Sequence, residues 1–152
     1  MLNIVLHEPE IPHNAGSAGR LALATGSRLH LIKPLGFSLD EKAVRRAGLD
    51  YWQDVDLHLW NSLEELLVAQ ENPRLWLLST KGKKSPWNAE FQDNDFLIFG
   101  RETKGLPESL IAQYPEQALR IPMRPNATRS LNLATSVAIV LYEACRQINP
   151  EL

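Results

Sequence analysis

Three short runs of this chain hold turns and side chains that could handle a small polar ligand. Phe99-Gly100-Arg101-Glu102-Thr103-Lys104-Gly105-Leu106 follows the apolar stretch Phe96-Leu97-Ile98-Phe99 and carries one carboxylate, Glu102, between two glycines. Gly100 lets a ligand approach the backbone, and Gly105 can take main-chain angles closed to other residues. Ile121-Pro122-Met123 runs on to Ser130-Leu131-Asn132-Leu133, which offers a hydroxyl and an amide. Pro12-His13-Asn14-Ala15-Gly16, with Arg20 one turn later, opens the first helical stretch. Gly-rich turns after apolar strands are the usual ligand sites of open α/β sheets. Together these residues supply backbone donors, hydroxyls and amides, with Arg20 and Glu102 as the charges. Such a set suits an adenosine-like ligand held by main-chain groups, and group transfer by positioning rather than through a protein nucleophile.

The elements that must position these residues alternate along the chain. Leu2 to Leu6 reads as a strand, and Asn14 can cap a helix that runs to about Thr25 and stops at Gly26. Leu29 to Ile32 is a second strand, and Asp40 caps a short helix through Ala47, ended by Gly48. Val55 to Leu59 reads as a short strand. Ser62-Leu63-Glu64-Glu65 looks like a capping box for a helix to about Glu71. Leu75 to Ser79 is a buried strand, residues 81–94 a polar loop, and Phe96 to Phe99 a strand. Pro107 starts a helix, Leu119-Arg120-Ile121 is a strand, and residues 130–147 form the last helix, which Ser130 and Asn132 could also cap. Strands alternating with helices predict an α/β fold whose sheet is mostly parallel, with helices on both faces. Leu133, Ala134, Val137 to Leu141 and Ala144 leave the last helix almost no polar face, which points to a second subunit over one side.

Composition narrows the classes. At 152 residues the chain reads as one domain, 1–152, able to bury roughly 70% of its unfolded surface. The lone Cys145 lies in an apolar helical stretch and reads as core. The N-terminal residues lack a signal pattern and no apolar run is long enough to span a membrane, so a reduced, cytoplasmic protein is expected. There is no P-loop, no dinucleotide fingerprint after the first strand, and no metal-ligand spacing among His7, His13, His30 and His58. His30 reads as a satisfied core histidine, while His13 stands beside Asn14. Net charge is −2, but cations gather at Arg20, Arg28, Lys33, Lys42, Arg45 and Arg46, again at Lys81, Lys83 and Lys84, and at Arg120, Arg124 and Arg129. A basic face on a near-neutral protein can steer nucleic acid.

Pro12-x-Asn14-x-Gly16-x-x-x-Arg20, Phe99-Gly100-x-Glu102-x-x-Gly105-Leu106 and Ile121-Pro122-Met123 followed by Ser130-Leu131-Asn132-Leu133-Ala134 resemble the three motifs of the SPOUT RNA 2′-O-ribose methyltransferases. Pro34-Leu35-Gly36-Phe37, Arg45 to Tyr51, Thr80-Lys81-Gly82 and Tyr142-Glu143-Ala144 extend the resemblance to the small subgroup that methylates the wobble cytidine or uridine of certain tRNAs, leucine-type isoacceptors by family resemblance. The resemblance implies a trefoil-knotted C-terminal half, bound S-adenosylmethionine, a homodimer through the helix at 130–147, and no metal. It implies cofactor contacts at Leu78, Gly100, Gly105, Ile121, Met123, Ser130 and Leu131. The position matching Arg20 is the one to which the family assigns activation of the ribose hydroxyl, with Asn14, Glu102, Ser130 and Asn132 shaping the site. Arginine stays protonated, so Arg20 is expected to grip a phosphate and stabilise the developing alkoxide.

This chain departs from the subgroup at Ala15, Ala18, Gly19, Arg101 and Cys145, none of them a presumed catalytic position. The substrate is expected to be the anticodon stem-loop, with Arg20, Lys42, Arg45, Arg46, Lys81 and Lys84 on its phosphates. Another tRNA position, ribosomal RNA, or a non-catalytic RNA-binding factor of the same fold remain alternatives.

Overall fold

The computed structural model describes residues 1–46 and 49–152. Six parallel strands form one sheet: β1 (Asn3–His7), β2 (Arg28–Ile32), β3 (Leu57–Trp60), β4 (Leu75–Leu78), β5 (Phe96–Phe99) and β6 (Ala118–Leu119), in the order β3-β2-β1-β5-β4-β6. Five helices connect or flank them: α1 (Pro12–Thr25), α2 (Glu41–Arg46), α3 (Leu63–Ala69), α4 (Glu108–Gln113) and α5 (Leu133–Ile148). Strand side chains alternate between two faces. Ile4, Leu6, Leu29, Leu31, Leu97 and Phe99 meet α1 and α5 on one face. Val5, Ile32, Leu75, Leu77, Phe96 and Ile98 meet α3 and α4 on the other. Strands covered on both faces read as near-continuous apolar runs, which is why β4 and β5 have no polar residue.

Several boundaries differ from expectation, each for a local reason. Pro12 occupies the first turn of α1, a position its fixed φ and missing N–H suit, so the cap is Ile11 and Asn14 lies inside the helix. The last helix starts at Leu133 rather than at residue 130, with Asn132 as its cap: its Oδ1 accepts from the Thr135 N–H at 3.1 Å. β3 begins at Leu57 because Trp52–Asp54 forms a 3-10 turn before it, and α3 ends at Ala69, ahead of the positive φ of Glu71 and Asn72. β6 is only two residues long. Within the expected polar loop at 81–94, Pro86, Ala89 and Phe91 are buried and anchor it to the core.

Other expectations hold. Asp40 Oδ1 accepts from Ala43 N–H (2.7 Å), Ser62 Oγ accepts from Glu65 N–H (3.1 Å), and Gly26 ends α1 in the left-handed conformation. The expected end of α2 at Ala47 and Gly48 lies outside the described residues. His30 is a buried, satisfied histidine. Its Nε2 pairs with Asn3 Oδ1 (2.9 Å) and its Nδ1 accepts from Trp60 Nε1 (3.0 Å). Burial, reinforced by His58 and Arg28, pushes it down to about 3. Cys145 is buried and its thiol is pushed up by that burial. The last helix does carry a polar face: it buries a stripe through Leu133, Val137, Val140, Leu141 and Ala144, while Thr135, Tyr142 and Arg146 are exposed. Among the described residues, no helix is long and apolar enough to cross a membrane.

Candidate active site at the strand ends

The chain runs from β1 outward to β2 and β3, then crosses to β4 and β5 on the other side of β1. Sheets of this kind bind ligands outside the carboxyl ends of their strands. There, the segments after β4 (78–81), β5 (99–106) and β6 (119–123), with 129–133 before α5, surround a cavity of about 700 Å³, closed on one side by Ile11 and Asn14 of the α1 entry. That volume falls in the range of small-molecule sites.

The loop after β5 is shaped by its glycines. A Cβ on Gly100 would fall 2.2 Å from the Gly105 carbonyl carbon and the Leu106 nitrogen, so no other residue fits. Arg101 and Gly105 exchange two backbone hydrogen bonds, 2.8 and 3.3 Å, and Gly105 closes the turn at φ +67°. Held in this turn, Glu102 accepts from the backbone N–H of Glu10 (2.8 Å) and of Ile11 (2.8 Å) and from Asn14 Nδ2 (3.1 Å). Asn14 Oδ1 accepts in turn from Asn132 Nδ2 (3.2 Å). A carboxylate holding three donors acts as a strut; it ties β5, α1 and, through Asn14, α5 together at the cavity wall. Glu10 returns the clasp by accepting from Thr103 N–H (3.0 Å) and Thr103 Oγ1 (2.8 Å), bonds that, with Arg101 nearby, hold its carboxyl below the usual range.

The cavity brings together Leu78, Lys81, Gly100, Glu102, Gly105, Ile121, Met123, Ser130, Leu131, Asn132 and Asn14. Arg20 is not among the residues that line it. It is exposed on α1 with its guanidinium 5.0 Å from the centre of the Tyr51 ring, and the Tyr51 hydroxyl donates to the Gly16 carbonyl at 2.7 Å. Burial raises the pKa of that phenol. Lys42, Arg45, Arg46 and Lys84 also stand on the surface outside the cavity, and His13 is exposed. Arg45 is engaged by Glu41, and Lys81 by Glu108.

Sequence reasoning passed over Ser79, Thr80, Lys104, Arg129 and Ser136, all of which line the cavity. Ser136 was accessible to it, standing one helical turn after Asn132 on the same face. The small Gly19, unusual inside a helix, is explained by Trp52: a Cβ there would meet its ring at 2.7 Å.

Fold and site together define an α/β protein with a cavity of cofactor size at its strand ends. The chain belongs to the SpoU rRNA Methylase family, whose sequence model matches residues 1–142. It is 48% identical over 149 residues to the tRNA (cytidine(34)-2'-O)-methyltransferase of Escherichia coli strain K12, covering 97% of this chain and 94% of that one. A solved structure from work on the 2-OH methylation of C/U34 on tRNA superposes with a TM-score of 0.89 at 49% identity, covering 97% and 95% of the two chains. The SpoU methyltransferase AviRb from Streptomyces viridochromogenes, solved in complex with AdoMet, superposes with a TM-score of 0.81 at 26% identity, over 97% of this chain and 57% of that one.

Proposed function

We propose that this protein transfers a methyl group from S-adenosylmethionine to the ribose 2′-hydroxyl of the wobble nucleotide, cytidine or uridine, in the anticodon loop of tRNA, leucine-type isoacceptors being the expected substrates. The observation that carries this reading is the meeting of three sequence-distant motifs at one cavity, in a chain closely similar over its length to enzymes named for that reaction.

The residues present fit the cofactor. Leu78, Gly100 and Ile121 stand at the ends of three adjacent strands and would offer main-chain groups to the adenosine, and Gly105, Met123, Ser130 and Leu131 would close around it. When bound, S-adenosylmethionine supplies a methyl group on a sulfonium, already a good leaving group. The chain must then align the hydroxyl and help its proton leave. Glu102 would act by fixing Asn14 and, through it, Asn132, with three of its acceptor positions already taken by the protein. Asn14, Ser130 and Asn132 would orient the ribose. Arginine is a poor base near neutral pH, and the exposed place of Arg20 beside Tyr51, outside the cavity lining, suits a grip on a phosphate of RNA that extends beyond the cavity.

A homodimer through α5 belongs to the same reading: beyond the buried stripe, Ala134, Ala138 and Ile139 are half-buried and Tyr142 is 46% exposed. So does the trefoil knot, supported by the chain leaving β6 alongside an earlier loop, with Arg120 N–H donating to the Lys84 carbonyl at 2.8 Å. Arg20, Lys42, Arg46 and Lys84 are the proposed phosphate contacts, with Arg45 and Lys81 joining once RNA competes for their acidic partners.

The test is to incubate the protein with labelled S-adenosylmethionine and total tRNA from a strain lacking this gene, then map the labelled nucleotide. Label on a wobble 2′-oxygen is expected. Label elsewhere would keep the chemistry and move the target, and cofactor binding without label on any tRNA would overturn the reaction.

A further inference from the structure

Arg120 and Met123 line the cavity on one side and a second, shallower groove on the other. The groove runs between Lys83, Lys84 and Ser85 on the loop after β4 and Arg120, Pro122 and Met123 on the segment after β6. Its three cations are exposed and, among the described residues, none is in an ion pair, whereas the neighbouring Lys81 is held by Glu108. No carboxylate lines it.

The floor is rigid. Lys84 pairs with Leu119 in a parallel bridge, and the Arg120 N–H donates to the Lys84 carbonyl at 2.8 Å. Ser85 Oγ accepts from the Trp87 N–H at 3.1 Å and starts the 3-10 turn Pro86–Asn88, seated on buried Pro86 and Ala89. That turn presents Trp87 to solvent, 50% exposed, two residues from the groove wall. Unpaired cations along a channel, with an exposed aromatic two residues along the chain from its wall, are the elements that bind unpaired nucleotides: the cations track the backbone and a ring stacks on a base.

We propose that this groove carries the RNA strand to the cavity, with phosphates on Lys83, Lys84 and Arg120 and an unpaired base stacked on Trp87. The inference rests on the proposed tRNA reaction and assigns that RNA a path on this chain. Continuity with the cavity through Arg120 and Met123 places the strand where its ribose can reach the methyl donor.

The experiment measures binding of a fluorescein-labelled anticodon stem-loop hairpin by anisotropy at several KCl concentrations, for the full chain and for Lys83→Ala/Lys84→Ala, Trp87→Ala and Trp87→Phe. Thermal melts and sedimentation of each variant accompany it. The lysine pair should weaken binding and reduce the steepness of the log–log salt dependence by about 1.4, two contacts to a single strand. Trp87→Ala should raise Kd by about 10-fold or more, and Trp87→Phe should recover most of that loss. An unchanged Kd and salt slope in the folded lysine variant overturns the path. A loss in Trp87→Ala accompanied by a shift from dimer to monomer without RNA also overturns it and gives Trp87 to a second copy of the chain. If wild type binds and methylates tRNA while the variants match it, only the groove fails; if wild type neither binds nor labels tRNA, the reaction itself fails.

Discussion

Asp95 stands immediately before β5 and Glu102 three residues after it, and each carboxylate accepts from three donors. Asp95, fully buried, accepts from Arg74 Nε (2.8 Å), Trp76 Nε1 (2.7 Å) and the Gln92 N–H (2.8 Å). Beside it, Asn3 donates to the Asn94 carbonyl at 3.2 Å and joins His30 and Trp60. Every bond at that end terminates within the protein. At the other end, Glu102 leads through Asn14 to Asn132, and each of these amides lines the cavity with one hydrogen and one lone pair uncommitted among the bonds described. The same device, a carboxylate holding three donors, therefore ties the sheet at one end of β5 and fixes cavity-facing amides at the other.

Replacing Asp95 should break this comparison most violently. Asp95→Ala leaves the buried Trp76 N–H and the Gln92 N–H without their acceptor, while the half-exposed Arg74 can turn to water, so stability should fall by roughly 2–4 kcal/mol. Urea unfolding measures the loss, and methyl transfer per folded molecule should stay near wild type. A comparable fall in turnover of folded protein would mean the two ends are coupled. Glu102→Gln should do the reverse. Its amide meets three donors with one oxygen, which loosens the α1 entry. We expect stability to change by about 1 kcal/mol and methyl transfer to drop about 100-fold, equivalent to about 2.7 kcal/mol in the barrier.

The closed end should also respond to pH, through His30. His30 titrates near 3 when folded and near 6.5 when unfolded. Between those values the unfolded chain binds more protons. The stability from a neutral His30 is complete above pH 6.5 and is lost as pH falls toward 3, by at most about 1.4 kcal/mol per pH unit. Between about pH 7 and about pH 5 His30 should account for about 2 kcal/mol of the change in stability, with His7, whose pKa burial also lowers, adding in the same direction, and His30→Gln should lose the His30 share only. Equal slopes in the two proteins would show that His30 is not the group responsible.

The open end was far more legible in the sequence than the closed one. Gly100, Glu102 and Gly105 stand in a short run after an apolar strand, so type and spacing place them at a strand end, and Ser130 and Asn132 stand where the last apolar helix begins. Asn14 was read as a cap because asparagine is common there, but Pro12 sets the helix start and frees its side chain for Glu102. Asp95 looked like one more acid in a polar stretch, since its partner Arg74 is 21 residues away and neither residue sits in a recognisable pattern. The loop at 81–94 looked polar throughout because its anchors, Pro86, Ala89 and Phe91, follow no helical or strand period. Arg20 was picked out by its motif, yet the motif carries no information about which way a surface arginine turns. Tyr51, 31 positions later, decides that.

Asn132 offers the finest cut, because its two amide atoms do two jobs. Its Oδ1 caps α5 at the Thr135 N–H, a role serine performs equally well, and its Nδ2 reaches Asn14 across the cavity wall, which serine is too short to do. Asn132→Ser should therefore leave the melting transition almost unmoved, within about 0.5 kcal/mol, because the cap survives and the residue is exposed. Methyl transfer should nevertheless fall about 10-fold, equivalent to about 1.4 kcal/mol, as Asn14 loses its donor and the ribose its second amide. Steady-state rates at saturating S-adenosylmethionine, set beside a thermal melt of the same preparation, separate the two jobs. Wild-type turnover in this variant would reduce Asn132 to a helix cap and leave Asn14 as the amide through which Glu102 acts on the cavity.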